Sequence, residues 1–232
     1  MVGCLYYTSN KLDGTELNEW SKETIKASGL PIISCTQLPI DFGNNVVYTE
    51  DWHKDGERLG RSHSILYKQI LTGLRAAKQK YLFFCEHDVL YHPSHFEFVP
   101  PRDDVYYYNN SVWKYRLSDR KVIGYDCTWT SQLCANRELL ISHYEKRLKM
   151  IEEGKRAYGY EPGTGQSKRI DNVGAQNWET EFYNIDVRHG DNWTGVRRMD
   201  PSEFSDKKNC QNWKETTVEE IRGWDTERLL SL

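Results

Sequence analysis

The sequence has no apolar run approaching the roughly 20 residues that a membrane-spanning helix needs. Its first ten residues carry no charged segment leading into an apolar one, as a secretory leader would. The expectation is a soluble protein of the cytoplasm, the host cytoplasm if the chain is viral. An excess of one charge is lacking too, with 31 Lys and Arg against 34 Asp and Glu and a formal net charge of -3. That excludes a strongly basic nucleic-acid binder held mainly by counterion release, while leaving room for a local basic patch. The cysteines Cys4, Cys35, Cys85, Cys127, Cys134 and Cys210 include no CxxC pair, which argues against a zinc ribbon or a thioredoxin-like site. Cys4, Cys35 and Cys85 lie in apolar runs, where a thiol behaves as a small hydrophobe, so they are expected to be reduced core residues. No internal repeat, low-complexity block or domain boundary is evident, and residues 1–232 are read as one domain.

What is present is aromatic. The mean hydropathy is polar at -0.77, yet 8 Trp and 15 Tyr bring the aromatic share to 13%, too high for a disordered chain. Aromatics in such number fill cores, and they also stack on sugars and bases.

The first half alternates strand and helix signals. Gly3–Tyr7, Pro31–Cys35 and Val46–Tyr48 read as strands. A helix carrying Leu17, Trp20 and Thr24 on one face lies between the first two. Arg61–Lys80 reads as a helix through Leu66, Ile70, Leu74 and Ala77. The unbroken apolar run Tyr81–Cys85 after it suits a central parallel strand buried on both faces. This order predicts an α/β fold of Rossmann-like type with a central, mostly parallel mixed sheet. In the second half, residues 105–108, 112–115, 122–124 and 183–187 read as strands, Asn136 as the cap of a helix, and 153–176 as a mobile loop. A short helix is expected near Val218–Arg222.

Ligands of open α/β sheets bind at the carboxyl ends of the strands, and Glu86-His87-Asp88 directly follows the buried run. Two carboxylates so close together cost free energy unless a cation compensates; the alternative is a pair of loop carboxylates capping the next turn. His189, just beyond another strand, adds an imidazole. Glu86, Asp88 and His189 together suit Mn²⁺ or Mg²⁺ while leaving room for substrate phosphates. His189 taken alone reads as a loop histidine bonded to a carbonyl. His53, His63, His92, His95 and His143 have no such partners and read as surface or capping residues.

Leu5-Tyr-Tyr-Thr-Ser-Asn10, Pro39-Ile-Asp-Phe-Gly43, Gln69-Ile-Leu-Thr-Gly-Leu74 and Phe84-Cys-Glu-His-Asp-Val-Leu-Tyr91 carry a resemblance. Together they resemble nucleotide-sugar-dependent glycosyltransferases of the GT-A type, family-2-like enzymes of phages and bacteria. Asn184-Ile-Asp-Val-Arg-His-Gly190 is similar to that family's C-terminal histidine segment. The family's DxD-like motif, which holds a divalent cation on the nucleotide diphosphate, reads Glu-His-Asp here. That makes Asp88 the firmer ligand and leaves Glu86 to act through water.

The resemblance implies a nucleotide-binding half over about 1–100 and an acceptor-binding half over about 101–232. It implies a nucleotide-sugar donor, a UDP-sugar before others, whose base docks at Thr8 and Asn10. Tyr7 is a candidate to stack on the base and Gln69 to reach the ribose or donor sugar. Arg61, Arg188, Arg197 and Arg198 are candidates to neutralise phosphates, Arg197 first among them. An inverting enzyme needs a base for the acceptor hydroxyl. Glu161 is the first choice, with Glu179 and Glu181 as rivals and Asp126 more distant. Trp129 is the aromatic expected at the acceptor. That acceptor is a glycan, a protein hydroxyl or a hydroxymethylated base in viral DNA, and for DNA the basic stretch Lys146–Arg169 would contact phosphates. A nucleotidyltransferase is the first rival, though Leu5–Leu12 lacks the Gly-rich basic loop it would need. A catalytically inactive sugar-binding module is the second.

Overall fold

The computed structural model describes residues 1–49, 53–54, 57–58, 62–126, 128–155, 161–190 and 197–232. Its first half runs β1 (Val2–Thr8), α1 (Glu16–Ala27), β2 (Ile32–Thr36), β3 (Asn44–Val47), β4 (His53–Lys54), β5 (Glu57–Arg58), α2 (His63–Ala76), β6 (Tyr81–Glu86) and β7 (Val89–Leu90). The second half adds β8 (Tyr106–Asn109), β9 (Val112–Arg116), β10 (Lys121–Gly124), β11 (Leu133–Asn136), α3 (Arg137–Glu152), α4 (Lys168–Asp171), β12 (Ala175–Trp178), β13 (Asn184–Arg188), β14 (Lys214–Thr216) and α5 (Thr226–Ser231).

The main sheet has seven strands in the order β12-β8-β11-β6-β1-β2-β3. The pairs β1–β2, β1–β6, β2–β3 and β8–β12 are parallel, and only β11 runs against its neighbours. This is the expected Rossmann-like α/β arrangement. The carboxyl ends of β1, β2 and β6 therefore bring Thr8, Thr36 and Glu86 to one edge. β11 has no counterpart in the sequence reading, because its four residues lead straight into the α3 cap and leave no room for a visible alternation.

Burial follows from composition. Cys4, Leu5, Phe83, Phe84 and Cys85 are wholly inaccessible, as expected for strands covered on both faces. The α2 helix starts at Ser62, whose hydroxyl accepts from the Ile65 amide, and lies close on the sheet at Gly73. A β-carbon there would stand 2.5 Å from Leu5 Cδ1, so only glycine permits this approach. The α3 helix is capped by Asn136, which accepts from the Glu138 and Leu139 amides.

A second sheet, β14-β10-β9-β13-β7, stands beside the first. Ile185 and Val187 of β13 face a core with Leu90, Tyr115 and Val122. The two-residue period of a strand then turns Asp186 and Arg188 to the other side.

Two expectations need correction. The stretch 153–176, expected as a mobile loop, holds a 3-10 turn, α4 and the start of strand β12, while 156–160 lie outside the described residues. His95 and His143 are fully buried rather than on the surface, each packed among aromatic rings. His92 does act as a cap, accepting from the Ser94 amide. Among the described residues no helix is long and apolar enough to cross a membrane.

Candidate functional site

The turn after β6 is clamped from two sides. Ser21 of α1 donates its hydroxyl to the carbonyls of Glu86 and Val89, at 3.1 and 2.9 Å. The Glu86 amide donates to the Tyr91 hydroxyl, which in turn donates to the Ser131 carbonyl. Asp88 is thus carried on a rigid turn with 7% of its surface accessible.

β13 delivers the partners of Asp88. It pairs antiparallel with β7, with Asp186 opposite Val89, and the Val187 amide donates to the Asp88 carbonyl at 3.0 Å. His189 follows directly and places Nε2 3.4 Å from Asp88 Oδ2. Burial alone would raise the Asp88 carboxyl, but His87, His189 and Arg188 outweigh it and hold the group below the ordinary range.

Glu86 differs. Tyr7 sits beside it in the parallel register of β1 and β6, and the Tyr7 hydroxyl donates to Glu86 Oε1. Burial, then the Asp88 charge, raises the Glu86 carboxyl well above its ordinary value against the effect of that hydrogen bond. Of the three residues expected at a cation, Asp88 and His189 lie together, and Glu86 turns to Tyr7. Among the described residues no three His, Cys, Asp or Glu side chains are grouped so as to hold a metal ion. An oxygen and an imidazole nitrogen side by side still suit a hard divalent cation, since Mg²⁺-type sites take one or two carboxylates and complete their shell from phosphates and water. The residues fit such an ion as a partial site.

Glu161 is the carboxylate the sequence offers first as a base. Its carboxylate accepts from the Thr130 hydroxyl, and it acts electrostatically on Glu86. Burial raises its pKa, opposed by Thr130 and by the Arg147 charge. Trp129, half-buried, adjoins Thr130 and packs edge-on against Tyr125 at 5.7 Å.

Other expected residues are placed otherwise. Tyr7 is a core ring set edge-on to Phe84 and only 4% accessible, so it is no open stacking surface. Gln69 is spent on the backbone, its amide donating to the carbonyls of Thr8 and Cys35 at 2.8 and 2.6 Å. Asn10, at φ 61, accepts from the Gln37 and Leu38 amides and donates to Asp13. Thr8 is buried, and its hydroxyl accepts from the Asn10 amide. These three polar residues close the strand-end loops on one another. Glu179 is exposed and lines a cleft of about 460 Å³ with His92, Trp178 and Phe182, a lining that includes none of Glu86, Asp88, Glu161 or His189. Glu181 pairs with Arg222 at 3.2 Å, and Asp126 accepts from Asn212. Arg197 is exposed, and Arg61 lies outside the described residues.

Two groups escaped the sequence reading. Asp186 pairs with Arg188 at 2.7 Å, which turns that arginine into an internal counter-charge beside Asp88. Lys114, only 1% accessible, adjoins Asp186 in the parallel register of β9 and β13. It donates to the Tyr125 hydroxyl and stands over the Tyr125 and Trp129 rings at 4.3 and 4.4 Å. A lysine and an aspartate at interior strand positions were the available signal, because charge in such runs demands a partner.

No protein-family model matches the chain, and no curated protein matches it. Among solved structures it is similar to a glycosyltransferase involved in the glycosylation of the major capsid of PBCV-1, at 10% identity and a TM-score of 0.46, covering 80% of this chain and 92% of that one. It is also similar to a nucleotidyl transferase from Methanothermobacter, at 14% identity and a TM-score of 0.36, covering 67% and 84%. Likeness at this level leaves the chemistry to be argued from the site itself.

Proposed function

We propose that the protein is a glycosyltransferase that moves a sugar from a nucleotide-sugar donor to a hydroxyl acceptor. The observation that carries this reading is the meeting of Asp88 and His189 at the carboxyl edge of a parallel sheet, with Glu161 close enough to act electrostatically on Glu86. Asp88 and His189 would hold Mn²⁺ or Mg²⁺ on the donor diphosphate. A bound cation there supplies charge stabilisation to the leaving nucleoside diphosphate. Glu161 takes the acceptor proton as the acceptor oxygen bonds to the anomeric carbon and the sugar–phosphate bond breaks. Its raised pKa favours that role, because a base tuned toward the working pH holds a proton more firmly. Trp129 would flank the acceptor, a glycan or a modified DNA base. A screen of nucleotide sugars with and without Mn²⁺, read by mass spectrometry, tests the reading: metal-dependent release of nucleoside diphosphate supports it, and no release from any donor contradicts it.

A further inference from the structure

The segment that carries Glu161 is moored by groups that lie away from the carboxylate. Tyr106 and Tyr108 are alternate residues of β8 and project to the same face, both within one core with Tyr144 and Leu140. The Tyr108 hydroxyl donates to the Pro162 carbonyl at 2.7 Å, directly after Glu161. Gly163 lies flat on Tyr106: at φ 77 its added β-carbon would stand 2.7 Å from Tyr106 Cδ2 and 3.0 Å from the Ala175 amide nitrogen. The same tyrosine donates its hydroxyl to Asp171 Oδ2 at 2.5 Å, where His143 Nδ1 of α3 also arrives, at 2.6 Å. Asp171 Oδ1 accepts from the Val173 amide. Between these anchors the Thr164 amide and hydroxyl and the Ser167 hydroxyl close on the Glu161 carbonyl.

The cluster is built as a fixed point. The side chains of His143 and Asp171 are 0% and 3% accessible. An ionised carboxylate only accepts, so His143 carries its proton on Nδ1. Its Nε2 has no hydrogen-bond partner among the described residues, which a neutral imidazole tolerates. Among the described residues no hydrogen bond runs from Asp171, His143 or Tyr106 to Thr130, Glu86 or Asp88, so the cluster stands apart from the reacting groups.

We infer that the Asp171–His143–Tyr106 cluster is a positioning device that fixes the Glu161 carboxylate against Thr130 by mooring both ends of the 161–174 segment. This rests on Glu161 being the base. Held within a fraction of an ångström, the carboxylate meets the acceptor proton; released, it spends most of its time out of line.

Two measurements test it. Hydrogen exchange, which needs no substrate, compares the wild type with Asp171→Asn and with the near-isosteric Tyr106→Phe. Exchange of the 164–173 amides should quicken by about tenfold or more in Asp171→Asn, and unchanged protection overturns the inference. Hydrolysis of UDP-glucose and other UDP-sugars, with water as acceptor, then supplies a double-variant cycle. Turnover should fall about tenfold in Asp171→Asn and less in Tyr106→Phe, with KM within about twofold. Both losses should vanish in the Glu161→Gln background. His143→Asn, whose amide takes the place of Nδ1–H, should recover turnover that His143→Ala loses. Equal losses with and without Glu161→Gln mean a merely structural role and overturn the inference. Wild-type turnover in Glu161→Gln overturns the role of Glu161 itself, and the exchange result then stands alone as a measure of the mooring.

Discussion

His189 Nε2 stands 3.4 Å from Asp88 Oδ2 because the strand that leads into the histidine is hydrogen-bonded to the two-residue strand that follows the aspartate. Neither residue reaches the other through its own local structure. The pairing of β13 with β7 makes the site, and the Ser21 and Tyr91 hydrogen bonds keep the turn from relaxing.

Asp88→Asn keeps the shape of the side chain and removes its charge. Titration calorimetry of UDP in the presence of Mn²⁺ should show affinity lower by at least about tenfold, with a thermal midpoint within a few degrees of wild type. Undiminished Mn²⁺-dependent affinity would remove Asp88 from the cation.

Glu161→Gln preserves the hydrogen bond to Thr130 in size but cannot take a proton. Turnover should drop by about 10² while donor affinity stays nearly intact. Steady-state kinetics decides between this and a collapse in Glu179→Gln, which would move the role to the cleft by His92.

Gln69 holds the carboxyl ends of β1 and β2 together through two backbone carbonyls. Gln69→Leu should cost about 1–3 kcal/mol in denaturant unfolding, because both carbonyls lose a buried donor. Donor preference should be unaltered; a switch in preferred nucleotide would restore the ribose contact expected from sequence.

Acid should loosen the His143–Asp171 contact. Burial holds His143 below its ordinary value, against the pull of Asp171. A group with a depressed folded pKa contributes stability above its unfolded pKa and loses it as pH falls toward the folded one. Asp171 is also depressed: its hydrogen bonds from His143 and Tyr106 outweigh burial, so it acts in the same direction at lower pH. The advantage of wild type over His143→Asn in unfolding experiments should therefore shrink as pH drops below about 6.5. An advantage that grows on acidification would show that His143 is charged in the fold.

Trp129→Ala should weaken acceptor binding by about 1–3 kcal/mol if the ring stacks on the acceptor. Transfer to hydroxymethylated DNA should weaken steeply with salt, and transfer to a neutral glycan should not. Labelled sugar counted on each acceptor at two salt concentrations separates them.

The parallel core was legible because its strands are covered on both faces, so Leu5, Phe83 and Phe84 read as unbroken apolar runs. The 161–178 segment was not, since its order comes from Tyr106, Tyr108 and His143 rather than from any periodicity of its own. In the site, Asp88 and His189 drew attention by their place after strands, and the fold sets them side by side. The contacts of Tyr7, Asn10 and Gln69 within the protein were not legible, because a polar residue at a strand end serves its own chain as readily as a ligand. Asp186 and Lys114 needed the β9–β13 register, which no local pattern encodes.

The central claim is the transfer of a sugar from a nucleotide donor, and product analysis tests it most directly. Wild-type protein is incubated with Mn²⁺ and nucleotide sugars in one set of reactions, and with nucleoside triphosphates and sugar 1-phosphates in another. The account predicts nucleoside diphosphate and free or transferred sugar in the first set and no pyrophosphate in the second. Pyrophosphate and a newly made nucleotide sugar in the second set, with the first set inert, would contradict it and assign the site to nucleotidyl transfer.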